Sequence, residues 1–132
     1  MIRFCLSGVR YRDGNGGTYI VGPGGKLKED ELEDLNMIAQ LSVYPIGEGT
    51  SLGRFVRKGV KVIEESGYTY EIGGMSTAIE VPDLDALFDL VKKVHAAHVE
   101  EGARRVTIDL KVDDRRDKKA TIETKKTSAK KI

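Results

Sequence analysis

Glu80 is the side chain with the most chemical potential, because it stands in Met75-Ser-Thr-Ala-Ile-Glu-Val81, a run otherwise made of small and apolar residues. A carboxylate in such a strand costs free energy unless it has a partner, so it is either paired across a sheet or used on a ligand. Lys111 is an available cross-strand partner. Ser76 and Thr77, beside the Gly73-Gly74 pair, carry short hydroxyls suited to orienting the edge of a heteroaromatic ring. Strand parity puts these two on opposite faces, so simple alternation brings only Ser76 to the face of Glu80. Tyr44 and Tyr70 supply aromatic surface for a ring or an organic cation, with packing as their plainer role.

Other patterns carry less. Gly47-Glu48-Gly49-Thr50-Ser51 precedes a helix but lacks the Gly-Lys-Ser/Thr ending of a phosphate-binding loop, so it reads as a β-α turn. His95 and His98 stand at i and i+3 on one helix. No third metal ligand accompanies them and they continue an apolar stripe, so packing is expected and no metal. The single cysteine, Cys5, permits no intramolecular disulfide and points to a reducing, cytoplasmic compartment. No serine sits in a Gly-x-Ser-x-Gly elbow.

The elements that must position these residues follow from hydrophobic periodicity. Ala39, Leu41 and Val43 alternate with Gln40, Ser42 and Tyr44, which predicts a strand from Met37 that ends at Pro45. Leu52, Phe55, Val56, Val60 and Ile63 recur at helical spacing, with Thr50 or Ser51 as the expected N-cap and Gly67 as the stop. Tyr68–Ile72 and Met75–Val81 read as a hairpin about Gly73-Gly74. Asp83 is the expected cap of a second amphipathic helix that Gly102 closes, and Val106, Ile108, Leu110 and Val112 alternate along a last strand. The order β-α-β-β-α-β predicts an α+β, ferredoxin-like fold: a four-stranded antiparallel sheet with two helices on one face. Its other face should display Gln40, Ser42, Tyr44, Ser76, Ala78, Glu80, Thr107, Asp109 and Lys111, and must be solvated, paired or used.

The chain of 132 residues fits one core. Twenty-two basic against 21 acidic residues give a net charge of +1, which argues against a dedicated nucleic-acid or membrane-surface binder. The average hides a gradient. Residues 1–36 are glycine-rich and then charged, and stand at −1; residues 37–114 stand at −4; the tail 115–132 stands at +6. In the first segment Asp13-Gly14 and Asn15-Gly16 are hairpin-turn signals, Thr18–Val21 a short strand and Lys26–Asn36 a helical turn or two. The basic tail reads as a solvated segment or terminal helix; the aromatic platform of ferredoxin-like RNA binders is missing from the sheet. No stretch approaches the ~20 apolar residues of a membrane span.

Leu41-Ser-Val-Tyr-Pro-Ile-Gly47, Tyr70-Glu-Ile-Gly-Gly-Met-Ser-Thr-Ala-Ile-Glu80 and Lys111-Val-Asp-Asp-Arg-Arg-Asp117 together resemble the thiamine-binding proteins, small ferredoxin-like proteins formerly grouped as an uncharacterised family. The resemblance covers residues 37–132. It implies a cytoplasmic homodimer or homotetramer that binds thiamine or its hydroxymethylpyrimidine part at a sheet or subunit interface, with no catalytic activity, no cofactor and no membrane. Glu80 would then recognise the aminopyrimidine, whose ring nitrogen and exocyclic amine match a carboxylate. Thr77 (favoured by the resemblance) or Ser76 would add hydrogen bonds with Gly74 and Ser42, and Tyr44 or Tyr70 would flank the ring. Residues 1–36 have no counterpart in the family, which suggests translation from Met37. Two alternatives are a small-molecule enzyme of the dimeric ferredoxin-like type with Glu80 or Asp109 as base, and an RNA-associated protein acting through the basic tail.

Overall fold

The computed structural model describes residues 9–22, 24–27 and 36–131; Cys5 and most of Lys26–Asn36 lie outside them. The main body is the expected one. Strand β4 (Met37–Pro45) leads to helix α1 (Gly53–Glu65), strands β5 (Tyr70–Ile72) and β6 (Thr77–Val81), helix α2 (Leu84–Glu100) and strand β7 (Val106–Asp113). The antiparallel sheet has the order β5-β6-β4-β7. Met37, Ala39, Leu41, Ile79 and Val81 point to one face and are buried with Ile63, Leu87, Leu90 and Val94 of the two helices. Phe55 and Leu87 are wholly buried, and each such side chain contributes roughly 1.5–3 kcal/mol through burial.

The two helices approach closely where α1 carries Gly59. A Cβ there would lie 3.1 Å from His98 Cε1 and 3.3 Å from Val94 Cγ1. Asp83 caps α2 as expected, accepting from Ala86 N at 2.8 Å. Neither Thr50 nor Ser51 caps α1. Leu52 takes that place without a side-chain bond, its carbonyl accepting from Phe55 N and Val56 N. Gly67 and Gly102 follow the two helices at φ of 79° and 108°, a region that glycine enters at little cost.

The hairpin turn is longer than the sequence suggested. Gly73 N donates to Ser76 O at 2.8 Å, so residues 73–76 form the reversal and β6 begins at Thr77 rather than Met75. The expected polar face is present: Gln40 faces Ala78 on one side and Lys111 on the other, Ser42 faces Asp109, and Tyr44 faces Thr107.

Two further elements extend this body. Strands β1 (Val9–Arg12), β2 (Thr18–Gly22) and β3 (Gly25–Leu27) form a three-stranded antiparallel sheet. The turn signals hold, since Asp13 accepts from Asn15 N and Gly17 N, but Lys26 and Leu27 belong to a strand and not to a helical turn. This small sheet docks on α2, where Arg12 N and Arg12 Nη2 donate to Asp85 and Asp89 at 2.7 and 2.9 Å. The basic tail forms α3 (Ile122–Ala129), started by a capping box between Thr121 and Thr124. No helix among the described residues is long and apolar enough to cross a membrane.

Candidate functional site

The sheet's two central strands do not stay paired along their whole length. β4 pairs with β7 as far as Pro45, but with β6 only from Met37 to Leu41. Beyond Leu41, the side of β4 that faced β6 borders a gap that the hairpin reversal and α1 enclose. Buried backbone groups need partners, and one is supplied by His98. Its Nε2 lies 3.2 Å from Val43 O and its Nδ1 2.9 Å from Val94 O. A neutral imidazole donates through one of these nitrogens; an imidazolium donates through both. His98 is almost fully buried and stacks on Phe55, with ring centroids 6.0 Å apart, while His95 on the same helix is exposed. The two histidines therefore share no metal site, and no cluster able to hold a metal occurs among the described residues.

The gap is a cavity of about 150 Å³. Thr77, Ser76, Ser42 and Gly74 line it, together with His98 and an apolar wall from α1 and the hairpin. Thr77 is buried on the helix-facing side of the sheet. Ser76 borders this cavity from the reversal, while its side chain keeps to the opposite face from Thr77, as strand parity requires, with its Oγ held by Gln40. Val56, Ile72 and Met75 form the rim and are 47%, 55% and 89% exposed.

Three of the expected site residues lie elsewhere. Tyr70 pairs with Ile79 on the core face and packs against the core. Tyr44 is partly exposed on the opposite face, beside Thr107. Glu80 also stands on that opposite face, in register with Ile38, and its Oε1 accepts from Ile122 N at 2.7 Å. Its partner is thus the N-terminus of α3, where a carboxylate is favoured both by the free N–H and by the helix dipole, rather than Lys111. Asp109 is exposed on β7 opposite Ser42.

The open face is therefore partly covered. α3 crosses it, with Lys125 paired to Asp113 on β7 and Lys126 to Glu71 on β5. Lys125 holds the Asp113 carboxyl below its ordinary range, and the Glu71 carboxylate raises the Lys126 ammonium above its own. Between α3 and the sheet lies a second, more open cavity of about 430 Å³. Gln40 Nε2 donates to Ser76 Oγ at 2.8 Å on its floor. Ser76 and Gly73 border both cavities. Sequence reasoning read His98 as packing and missed its place at the first cavity. The signal that could have found it is a polar residue at the end of a helix's apolar stripe.

Residues 39–130 match the model of the family described as thiamine-binding protein. A relative from Methanothermobacter thermautotrophicus, a UPF0045 protein, is 44% identical over 80 residues, covering 60% of this chain and 81% of its own. A solved Methanocaldococcus jannaschii structure is 32% identical with a TM-score of 0.66, over 71% of this chain and 95% of that one. A Thermotoga maritima structure, provisionally assigned to thiamine biosynthesis or salvage, is 25% identical with a TM-score of 0.62, over 72% and 99%. With its ferredoxin-like body and a family match over most of its length, this chain belongs to the thiamine-binding protein family.

Proposed function

We propose that the chain binds the aminopyrimidine ring of thiamine, reversibly and without chemical change, in the cavity at the end of β4 and the hairpin. The observation that carries this reading is the convergence of Thr77, Ser76, Ser42 and Gly74 on one small cavity. Pockets that hold drug-sized ligands run to about 300–1,000 Å³, and this one, at about 150 Å³, suits a single six-membered ring. The Thr77 hydroxyl and the unpaired edge of β4 would supply donors and acceptors for the ring's edge, and apolar side chains its faces. Thr77 is buried at this cavity, where its hydroxyl could turn to a ligand. Glu80 serves this reading indirectly, as the anchor of α3. The second ring of thiamine would lie at the apolar rim of Val56, Ile72 and Met75. The chain would work as a cytoplasmic homodimer or homotetramer, a state that sedimentation would read.

Calorimetry with thiamine tests the reading. Thr77→Val keeps the shape and removes the hydroxyl, and should weaken binding by roughly 0.5–1.5 kcal/mol, the net worth of a neutral hydrogen bond. Absence of any heat or thermal stabilisation with millimolar thiamine would overturn the proposal, because a ligand of the folded state must raise its melting temperature.

A further inference from the structure

Among the described residues no Asp, Glu, Lys or Arg lines the first cavity, and the two ring nitrogens of His98 are both directed at backbone carbonyls. Arg57 and Lys61 follow the wall residues Val56 and Val60 on α1 but do not line the cavity; the Arg57 guanidinium folds back against Gly53. The neighbouring lysines are spoken for on the other side of the sheet, where Lys125 and Lys126 pair with Asp113 and Glu71.

Resting on the reading above, we propose that this site selects the unphosphorylated pyrimidine and rejects a phosphate ester attached one methylene from the ring. A ring seated in a cavity of this size holds its exocyclic methylene at the rim. A phosphate on that carbon would be fixed among Val56, Ile72 and Met75, partly stripped of water and without a cation. Anions are expensive to desolvate when unpaired, and an anion site is ordinarily built from arginine or lysine side chains or a helix N-terminus. None of these lines the cavity among the described residues. A phosphate at the far end of the thiamine side chain lies beyond the rim in water and carries little penalty. The chemistry thus points to free pyrimidines, and to thiamine with or without its distal phosphate, as opposed to pyrimidine phosphates.

The test is calorimetry of the full chain with four probes: hydroxymethylpyrimidine, hydroxymethylpyrimidine phosphate, thiamine and thiamine phosphate. The expected result is comparable affinity for the first and third, at least a ten-fold loss for the second, and a change under three-fold between the last two. Val56→Lys places an ammonium at an exposed rim position and should recover most of the loss for hydroxymethylpyrimidine phosphate. Equal or tighter binding of that phosphate by the unaltered chain overturns this inference and leaves the thiamine reading standing. Failure of all four probes to bind overturns the thiamine reading itself.

Discussion

Replacing Glu80 by alanine separates two roles that a carboxylate at this position can play. In the structure its Oε1 accepts from Ile122 N at 2.7 Å, and the residue is half-buried. A hydrogen bond to a charged group is worth about 1.5–3 kcal/mol; partial exposure lowers this to about 1–2 kcal/mol. The remaining ties of α3 are Ile122, buried and worth roughly 1.5–3 kcal/mol, and two exposed lysine pairs that solvent screens. Glu80 and Ile122 are therefore the main anchors of α3. Amide exchange by mass spectrometry reads this directly. Glu80→Ala should lower protection in α3 by about 5- to 30-fold, since ~1.4 kcal/mol is ten-fold, and leave β4 and β6 unchanged. Glu80→Gln keeps an acceptor oxygen without the charge and should fall between. Thiamine affinity should change by less than about three-fold, because the carboxylate lies across the sheet from the cavity. Unchanged α3 protection together with lost thiamine binding would refute this assignment and move the ligand to the open face.

Further outcomes follow from the packing and the ion pairs. Phe55→Ala should cost about 3–5 kcal/mol in urea unfolding, the usual range for a fully buried aromatic. Gly59→Val drives a side chain into His98 and Val94 at the crossing of α1 and α2, and should cost about 1–3 kcal/mol by overpacking. The Arg115 guanidinium lowers the Asp117 carboxyl to about 2, and Lys125 lowers that of Asp113. A depressed carboxyl stabilises the fold above its unfolded value and loses that effect as pH falls through the folded one. Ordering of residues 113–130 should thus hold from neutrality to about pH 4 and loosen towards pH 2, as amide exchange or circular dichroism would show; a transition centred near pH 6.5 would contradict the assignment. One molar salt should loosen α3 by screening its exposed pairs, with little effect on the β4–β6 pairing.

The α/β order was legible because each strand of the main body has one apolar side and each helix an apolar stripe. Met37, Ala39 and Leu41 could be assigned to the core from alternation alone, as could Phe55 and Ile63 from helical spacing. The hairpin reversal was less legible. Nothing in Gly73-Gly74-Met75-Ser76 reveals that Ser76 caps the turn through its carbonyl, yet that contact brings Ser76 and Thr77 to one cavity. α3 was legible only as a choice between tail and helix. Its side chains carry almost no apolar stripe, and its position depends on Glu80, Asp113 and Glu71, which are 12 to 55 residues from their partners in the chain. The third strand of the N-terminal sheet, at Gly25–Leu27, is too short to show a period.

The central place of β4 also has a consequence for how the chain acquires its fold. Met37 meets Val81, 44 residues away, and Ile38 meets Asp113, 75 residues away. Such separations raise the contact order, and folding slows as contact order rises. At a synthesis rate of about 5–20 residues per second, β4 waits roughly 4–15 s on the ribosome for its last partner. Through that interval its apolar residues are without their final neighbours on the β7 side. The local β5–β6 hairpin and the two helices are the elements able to form first, and closure by β7 is the step that completes the sheet.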